Sequence, residues 1–513
     1  MISLRWNRCR AGLAGLGIFL AFLCGCAHEV RPPSYPNIVF ILADDHGAQA
    51  LSAYDSPPQR SPLRTPGIDR LAREGMRFDR FCVENAICAP SRAAFLTGCM
   101  SARHGVVDNS KSFDATQPTW PALLRARGYT TAIKGKWHLK SQPVGFDDWE
   151  VLIDQGEYWN PRFVTPTGTV QREGYCTDII TERAVDFLSA QAKTQKPFAL
   201  VVHHKAPHRS WQPAPRHYWM FANDDLPEPA TLFDTFAKRG GASKLQSMSV
   251  AEDLTPQDLK LVPPKGLTTA QLAAWTAAHA GRVAAAQTAR DAGPEAWRRF
   301  AFQTYAKDYL RCVAAVDESV QRVLGELDRL GLSENTIVIY SSDQGWFLGE
   351  HGWYDKRWMY EESLRTPFLI RWPGQVKPGS TNAALCQNID LAPTLLAAAG
   401  VPIPERMEGR DLAPLFTDAF AAWRDAIYYR YYEEGPPHNV PAHDGVRLER
   451  LKLINFHTLS GSDAWELYDL EADPDELRDL SRIPSMAKVL QQLRQRLTEL
   501  RREHGCTDLL PPR

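Results

Sequence analysis

The stretch Ile87 to Gly98 reads Ile-Cys-Ala-Pro-Ser-Arg-Ala-Ala-Phe-Leu-Thr-Gly. Proline suits the first turn of a helix, where its missing N–H has no partner to lose. The string therefore predicts a helix over Ser91–Leu96, with Cys88 at its positive end and Arg92 one turn away. Such a place favours a thiolate or another anion. The spacing alone fits an ordinary thiol beside a helix equally well.

Four apolar runs end in residues able to do chemistry. Asn37–Ala43 runs into Asp44-Asp45-His46-Gly47, and Tyr129–Ile133 into Lys134-Gly135-Lys136-Trp137-His138. Phe198–Val202 ends in His203-His204-Lys205-Ala206-Pro207-His208, and Thr336–Tyr340 in Ser341-Ser342-Asp343-Gln344-Gly345. Continuous branched runs are the pattern of strands buried on both faces of a parallel sheet. A single Asp pair could simply cap a helix. Four such ends predict one crevice along the carboxyl edge of one sheet, where α/β folds gather ligands. Asp44, Asp45, Asp343 and the Gln344 side-chain oxygen make a hard, all-oxygen set, better suited to Ca²⁺ than to zinc.

The elements between these ends must hold them in place. Thr65–Glu74, Trp120–Arg127 and Asp178–Gln191 read as helices, and Tyr305–Leu330 carries Tyr309, Val313, Val316, Val320, Val323 and Leu327 at helical spacing. The alternation predicts a doubly wound α/β fold. Ser210–Glu295 reads as an excursion over the crevice mouth, Pro-rich and then helical from Thr268 to Ala289. Its Trp211, Tyr218 and Trp219 fit either a sugar platform or buried packing. Past Asp411 the pattern changes to short strands at Ala426–Tyr432, Gly445–Arg447, Lys452–Phe456 and Trp465–Asp469. An amphipathic helix with Met486, Val489, Leu490, Leu493, Leu497 and Leu500 closes the chain, so a small α+β subdomain is expected over 426–513, after a catalytic domain over 36–425.

The chain has 513 residues, a formal net charge of -1 and 44% hydrophobic residues, enough for a large core and without the basic excess of a nucleic-acid binder. Arg5, Arg8 and Arg10 precede an apolar run, Leu13–Leu23, too short for a comfortable membrane span. It leads into Leu23-Cys24-Gly25-Cys26, which resembles a bacterial lipobox with Cys26 as the lipidated residue. The expectation is a lipoprotein-type signal over 1–25, a tether over 26–35 and an exported protein whose one membrane contact is that anchor. Of ten Cys, the six outside the signal, the lipobox and position 88 show no zinc spacing.

The Cys88–Gly98 string resembles the signature of type I sulfatases, members of the alkaline phosphatase-like superfamily, whose motif cysteine is oxidised after translation to formylglycine. The resemblance implies an alkaline phosphatase-like mixed sheet and hydrolysis of a sulfate ester. It also implies a formylglycine-generating or anaerobic sulfatase-maturating enzyme as a partner. A hydrated formylglycine offers one hydroxyl to attack sulfur and a second whose deprotonation expels sulfate, an exit a plain Ser lacks. It further implies Ca²⁺ held by Asp44, Asp45, Asp343 and Gln344 together with residue 88. Many members carry Asn where Gln344 stands. Arg92 and Lys136 would bind the formylglycine, Lys136 also the sulfate, and His138 would take the second proton. His208 would hold sulfate and, with Lys356, protonate the leaving alcohol.

The string Asp355-Lys356-Arg357, with His443 ahead of Gly445-Val446-Arg447, resembles bacterial N-acetylglucosamine-6-sulfatases. It implies that Asp355, Arg357 and His443 grip the sugar of a sulfated glycan. The insertion Gly435-Pro436-Pro437 departs from that pattern. An iduronate-2-sulfatase-like specificity, a phosphate or phosphonate ester hydrolase of the same superfamily, and a non-catalytic glycan binder are the competing readings. Zinc phosphatases of the superfamily need His-rich ligation, which this oxygen set lacks.

Overall fold

The computed structural model describes residues 35–54, 62–194, 196–418 and 421–509. The expected signal, lipobox and most of the tether lie outside the described residues. Residues from Tyr35 onward form one compact unit.

A ten-stranded mixed sheet is its centre. In spatial order the strands are Ser380–Asn382, Met76–Phe78, Phe368–Arg371, Thr336–Ser342, Asn37–Ala43, Phe198–His203, Thr130–Lys136, Asp148–Leu152, Arg162–Thr165 and Gly168–Gln171. The five from Thr336–Ser342 to Asp148–Leu152 run parallel. Their carboxyl ends therefore open on one edge, and the four predicted runs are the four central strands of the ten. Asn37–Ala43 is buried at every residue, with Val39 and Ile41 in one core layer and Ile38, Phe40 and Leu42 in the other. That two-sided burial is why the run shows no polar alternation.

Helices cover both faces, as the doubly wound expectation requires. The long helix Pro294–Arg329 begins well before Tyr305, at a Pro that follows Gly293. It packs Tyr305, Tyr309, Val313, Val316, Val320 and Val323 into the core. Asp317 accepts from the Gly67 and Ile68 N–H groups at 3.2 and 2.8 Å, capping the helix Pro66–Glu74. The excursion carries two helices, Thr269–Ala278 and Arg282–Asp291. Trp211 and Tyr218 are core residues, whereas Trp219 is 64% exposed.

The C-terminal region is a four-stranded antiparallel meander, Ala426–Tyr431, His443–Leu448, Leu451–Phe456 and Trp465–Asp469. Strand alternation splits its faces. Tyr428, Val446, Leu453 and Leu467 pack on Leu493, Leu497 and Leu500 of the helix Ala487–Glu503. Ile427, Tyr429, Tyr431, Ile454 and Phe456 pack on Trp358 and Tyr360 of the preceding loop. Among the described residues no helix is long and apolar enough to cross a membrane. Cys82, Cys88, Cys99, Cys176, Cys312, Cys386 and Cys506 are buried free thiols.

Gly135 lies in the strand between Lys134 and Lys136 with φ +108°. A Cβ there would stand 1.9 Å from the His203 carbonyl oxygen of the neighbouring strand. Gly135→Ala should therefore destabilise the protein by about 3 kcal/mol in denaturant unfolding. An unchanged midpoint would show that the sheet tolerates a side chain there.

Candidate active site

Cys88 is the first residue of the helix Cys88–Thr97, which is buried along its whole length. Gly98 closes it in the left-handed conformation, its N–H donating to the Ala94 carbonyl at 2.9 Å. The helix start thus faces the carboxyl edge of the sheet. Asp44 Oδ1 is 3.4 Å from Cys88 Sγ, and Lys356 Nζ and Gln344 Nε2 are each 3.6 Å from it. Burial pushes the thiol up to about 12, against the pull of Lys136 and Lys356. The expected drift toward thiolate is therefore reversed: a helix end is worth less than the loss of water.

Around Cys88 stand three carboxylates and three cations, all almost fully buried. Arg92 donates from Nε to Asp343 Oδ2 at 3.0 Å, and its Nη2 lies 2.8 Å from the same oxygen. Lys136 Nζ pairs with Asp44, and Gln155 Oε1 holds that ammonium at 2.6 Å. Lys356 Nζ donates to Asp45 Oδ1 at 2.6 Å. Losing one partner of such a buried pair costs roughly 3–5 kcal/mol. The backbone is locked as tightly. Asp45 N–H donates to Asp343 Oδ1 at 3.0 Å, and the Tyr309 hydroxyl donates to the Asp45 carbonyl at 2.7 Å.

One oxygen from each of Asp44, Asp45 and Asp343 falls within 4.8 Å of the others. Asp45 Oδ2 and Gln344 Oε1 are buried with no hydrogen-bond partner. Burial pushes Asp45 and Asp343 up, as does the nearby Asp44 charge, although Lys356 and Arg92 oppose it. Crowded, partly unpaired oxygens that resist ionisation fit a bound divalent cation. The donor set is oxygen only, so a hard ion such as Ca²⁺ fits best. Asp44, Cys88 and His208 also converge, but that set spends the sulfur on a metal.

The two remaining histidines flank this cluster. His138 is 6% exposed, and burial, with the Lys136 and Arg92 charges, holds it down to about 2, so the ring is neutral. Its Nε2 is 3.4 Å from Asp154, and its Nδ1 is buried without a partner. His208 Nδ1 meets the Arg209 carbonyl at 2.7 Å, so that nitrogen carries the proton and Nε2 faces the pocket, 3.7 Å from Asp45. The His203 and His204 side chains serve differently. His203 Nδ1 meets the Lys136 carbonyl at 3.0 Å and His204 Nε2 the Ser319 hydroxyl at 3.0 Å, so both are struts.

Beyond Lys356 the pocket changes character. Asp355 accepts from Arg357 Nε at 3.1 Å, and Arg357 Nη1 donates to Glu433 at 2.7 Å. Although burial pushes Asp355 up, His438, Arg357 and Lys356 hold it well below the usual carboxylate range. The histidine beside Asp355 is His438, with Nε2 3.7 Å away. His443, the residue expected to grip the sugar, is fully buried. Its Nδ1 meets the Pro441 carbonyl at 2.8 Å, and its ring packs among Trp358, Tyr429, Tyr431 and Phe456. Strand pairing opposite Tyr431 turns it into that aromatic layer. His438 lies in the Pro-rich insertion, where no motif flagged it. Gln155 was missed too, because a lone Gln carries no signal until the fold brings it to Lys136.

Residues 36–401 match the sulfatase family model, and residues 349–503 match the C-terminal region of N-sulphoglucosamine sulphohydrolase. The chain belongs to the sulfatase family and is a sulfuric ester hydrolase with the alkaline phosphatase-like α/β fold. It is 42% identical over 509 residues to N-acetylglucosamine-6-O-sulfatase of Bacteroides thetaiotaomicron, across 95% of this chain and 90% of that one. Human N-acetylglucosamine-6-sulfatase is 27% identical over 434 residues, 78% of this chain and 68% of that protein. A solved structure in complex with its substrate, D-glucosamine-2-N,6-O-disulfate, superposes with TM-score 0.89 at 42% identity, covering 92% of this chain and 99% of that one. A phosphonate monoester hydrolase from Silicibacter pomeroyi shares the fold at TM-score 0.69 and 21% identity, over 91% of this chain and 96% of that one.

If the carboxylate cluster holds a cation, dialysis against a chelator should abolish ester hydrolysis and lower the melting temperature, and Ca²⁺ should restore both. Binding at a hundredfold excess over Kd stabilises by about 2.7 kcal/mol. Full turnover and unchanged melting in metal-free protein would contradict the assignment.

Proposed function

We propose that this sulfatase removes the 6-O-sulfate of an N-acetylated or N-sulfated glucosamine in a sulfated glycan, using formylglycine at position 88 and Ca²⁺. The observation that carries this reading is the Asp355–Arg357–His438 group set directly beside Lys356. One loop joins the sulfate-handling ammonium to groups suited to sugar hydroxyls. The relatives named for glucosamine 6-sulfates support the same choice.

Asp44, Asp45, Asp343 and Gln344 would hold Ca²⁺, which supplies positive charge to the sulfate oxygens. Rotation of the Gln344 amide turns its orphaned oxygen toward that cluster. Three carboxylates and three cations cancel, so a divalent ion leaves the pocket net positive for an anionic ester. The hydrated formylglycine supplies a nucleophilic hydroxyl and a second hydroxyl whose deprotonation frees sulfate. Arg92, fixed by Asp343, orients residue 88. Lys136 binds residue 88 and sulfate. His138, neutral and with Nδ1 free, takes the second hydroxyl's proton. His208 presents Nε2, and Lys356 its ammonium, to the leaving oxygen.

Cys88 has no exposed surface, so an oxidising enzyme must reach it before the domain closes. We therefore read a formylglycine-generating or anaerobic sulfatase-maturating enzyme as the partner of the unfolded chain. The Leu23–Cys26 string supports export with a lipid anchor at Cys26.

Defined sulfated mono- and disaccharides test the substrate. The mature enzyme should release sulfate from glucosamine 6-O-sulfates and leave 2-O-sulfated uronates and phosphonate esters largely intact. Preference for either of the latter would overturn the reading. His438→Ala should lower kcat/KM for glucosamine 6-sulfate about tenfold, roughly the worth of one buried hydrogen bond, and change 4-nitrophenyl sulfate turnover less than about twofold. Equal losses on both esters would remove His438 from the sugar site.

A further inference from the structure

The excursion between Ser210 and Glu295 reaches back to the strand end that carries His208. At its centre, Asp258 and Lys260 are each only 1% exposed, a costly place for two charges. Both reach back to the two residues that follow His208. Asp258 accepts from Arg209 Nε at 3.0 Å through Oδ1 and from Arg209 Nη2 at 2.6 Å through Oδ2, a two-pronged pair. Arg209 Nη1 also donates to the Tyr354 hydroxyl at 3.1 Å. Lys260 Nζ donates to the Ser210 carbonyl at 2.9 Å and lies 3.6 Å from Asp308 on the long helix. The Thr255 N–H and hydroxyl satisfy Asp258 further, at 2.8 and 2.7 Å.

We propose that Asp258, with Lys260, is a positioning residue for the proton donor His208, acting through Arg209. The proposal rests on the donor reading of His208 given above. The clamp fixes residues 209 and 210 from both sides, and the Arg209 carbonyl is the acceptor of His208 Nδ1–H. The Tyr158 hydroxyl holds the His208 carbonyl at 2.7 Å, so the imidazole has one way to face. Nε2 then points at the ester. As the S–O bond breaks, its electron pair stays on the sugar oxygen. His208 enters this step as the imidazolium, with Nδ1–H on the Arg209 carbonyl and Nε2–H on the ester, a charge that the anionic sulfate favours although burial and the Lys136 and Lys356 charges oppose it. The sugar oxygen takes the Nε2 proton, leaving the neutral Nδ1–H imidazole, while the sulfuryl group passes to the ionised hydroxyl oxygen at position 88. A sugar alkoxide is a poor leaving group and needs that proton. A nitrophenolate leaves without it.

Leaving-group dependence therefore separates positioning from mere support. Asp258→Asn in the mature holoenzyme should lower kcat for glucosamine 6-sulfate about tenfold or more, with KM within about twofold. It should slow 4-nitrophenyl sulfate by less than about threefold. Asp258→Glu, which keeps the charge, should recover part of the loss. His208→Ala is run beside it and should show the same split, only larger. Equal losses on both esters in Asp258→Asn, or a loss carried by KM, would overturn the clamp. Equal losses in His208→Ala itself would instead remove the donor reading, and the clamp with it. Should Asp258→Asn fail to fold, Lys260→Met is expected to give the same split; equal losses there would overturn the proposal.

Discussion

Three buried carboxylates facing three buried cations around one helix start are the constraint on which the rest of the structure depends. Charges at such depth are stable only when paired, so each must sit within hydrogen-bonding distance of its partner. The carboxylates come from two adjacent parallel strands, Asn37–Ala43 and Thr336–Ser342, and the cations from a helix, a third strand and a loop. None of these elements can shift without unpairing a charge. The arrangement also leaves Asp45 Oδ2 without a hydrogen-bond partner, as a carboxylate reserved for a divalent ion would be.

The sheet edge explains how so many chemical groups meet. Parallel strands all end on one side, and their extended, fully buried interiors make those ends rigid. The helix Cys88–Thr97 then brings its N-terminus to the same edge, and the loop after Gln344 adds Lys356 across from it. The C-terminal meander buries its aromatic face under Trp358 and Tyr360, next in the chain to Arg357. The loop that carries Asp355 and Arg357 is thus held by a second core, distinct from the sheet that holds Asp44, Asp45, Lys136 and Asp343. In the proposed reading, sulfate chemistry and sugar choice are positioned by different parts of the fold.

Much of the cluster around Cys88 was legible in the chain. Asn37–Ala43 and Trp465–Asp469 are strands over the residues their patterns mark, whereas the strands Thr130–Lys136, Phe198–His203 and Thr336–Ser342 run one to three residues into their polar ends. The Cys88 string named its helix because Pro90 suits a first turn, although the helix begins at Cys88 and runs to Thr97, wider than Ser91–Leu96. The surroundings of Asp355 were less legible. His443 and His438 are five residues apart, and only strand pairing decides which one turns into the aromatic layer. The Cys88 ionisation misled for a related reason: helix position is written in the sequence, but depth of burial is not. Asp258 carried no signal, because its partner Arg209 lies on the far side of a long excursion.

The central claim is that the residue at position 88 works as an aldehyde hydrate and not as a thiol. Mass spectrometry of the proteolytic fragment spanning Cys88, from enzyme matured in its own host and assayed on the same sample, tests it most directly. The account predicts formylglycine in a fraction that rises in proportion to specific activity. An intact thiol in fully active enzyme would contradict it.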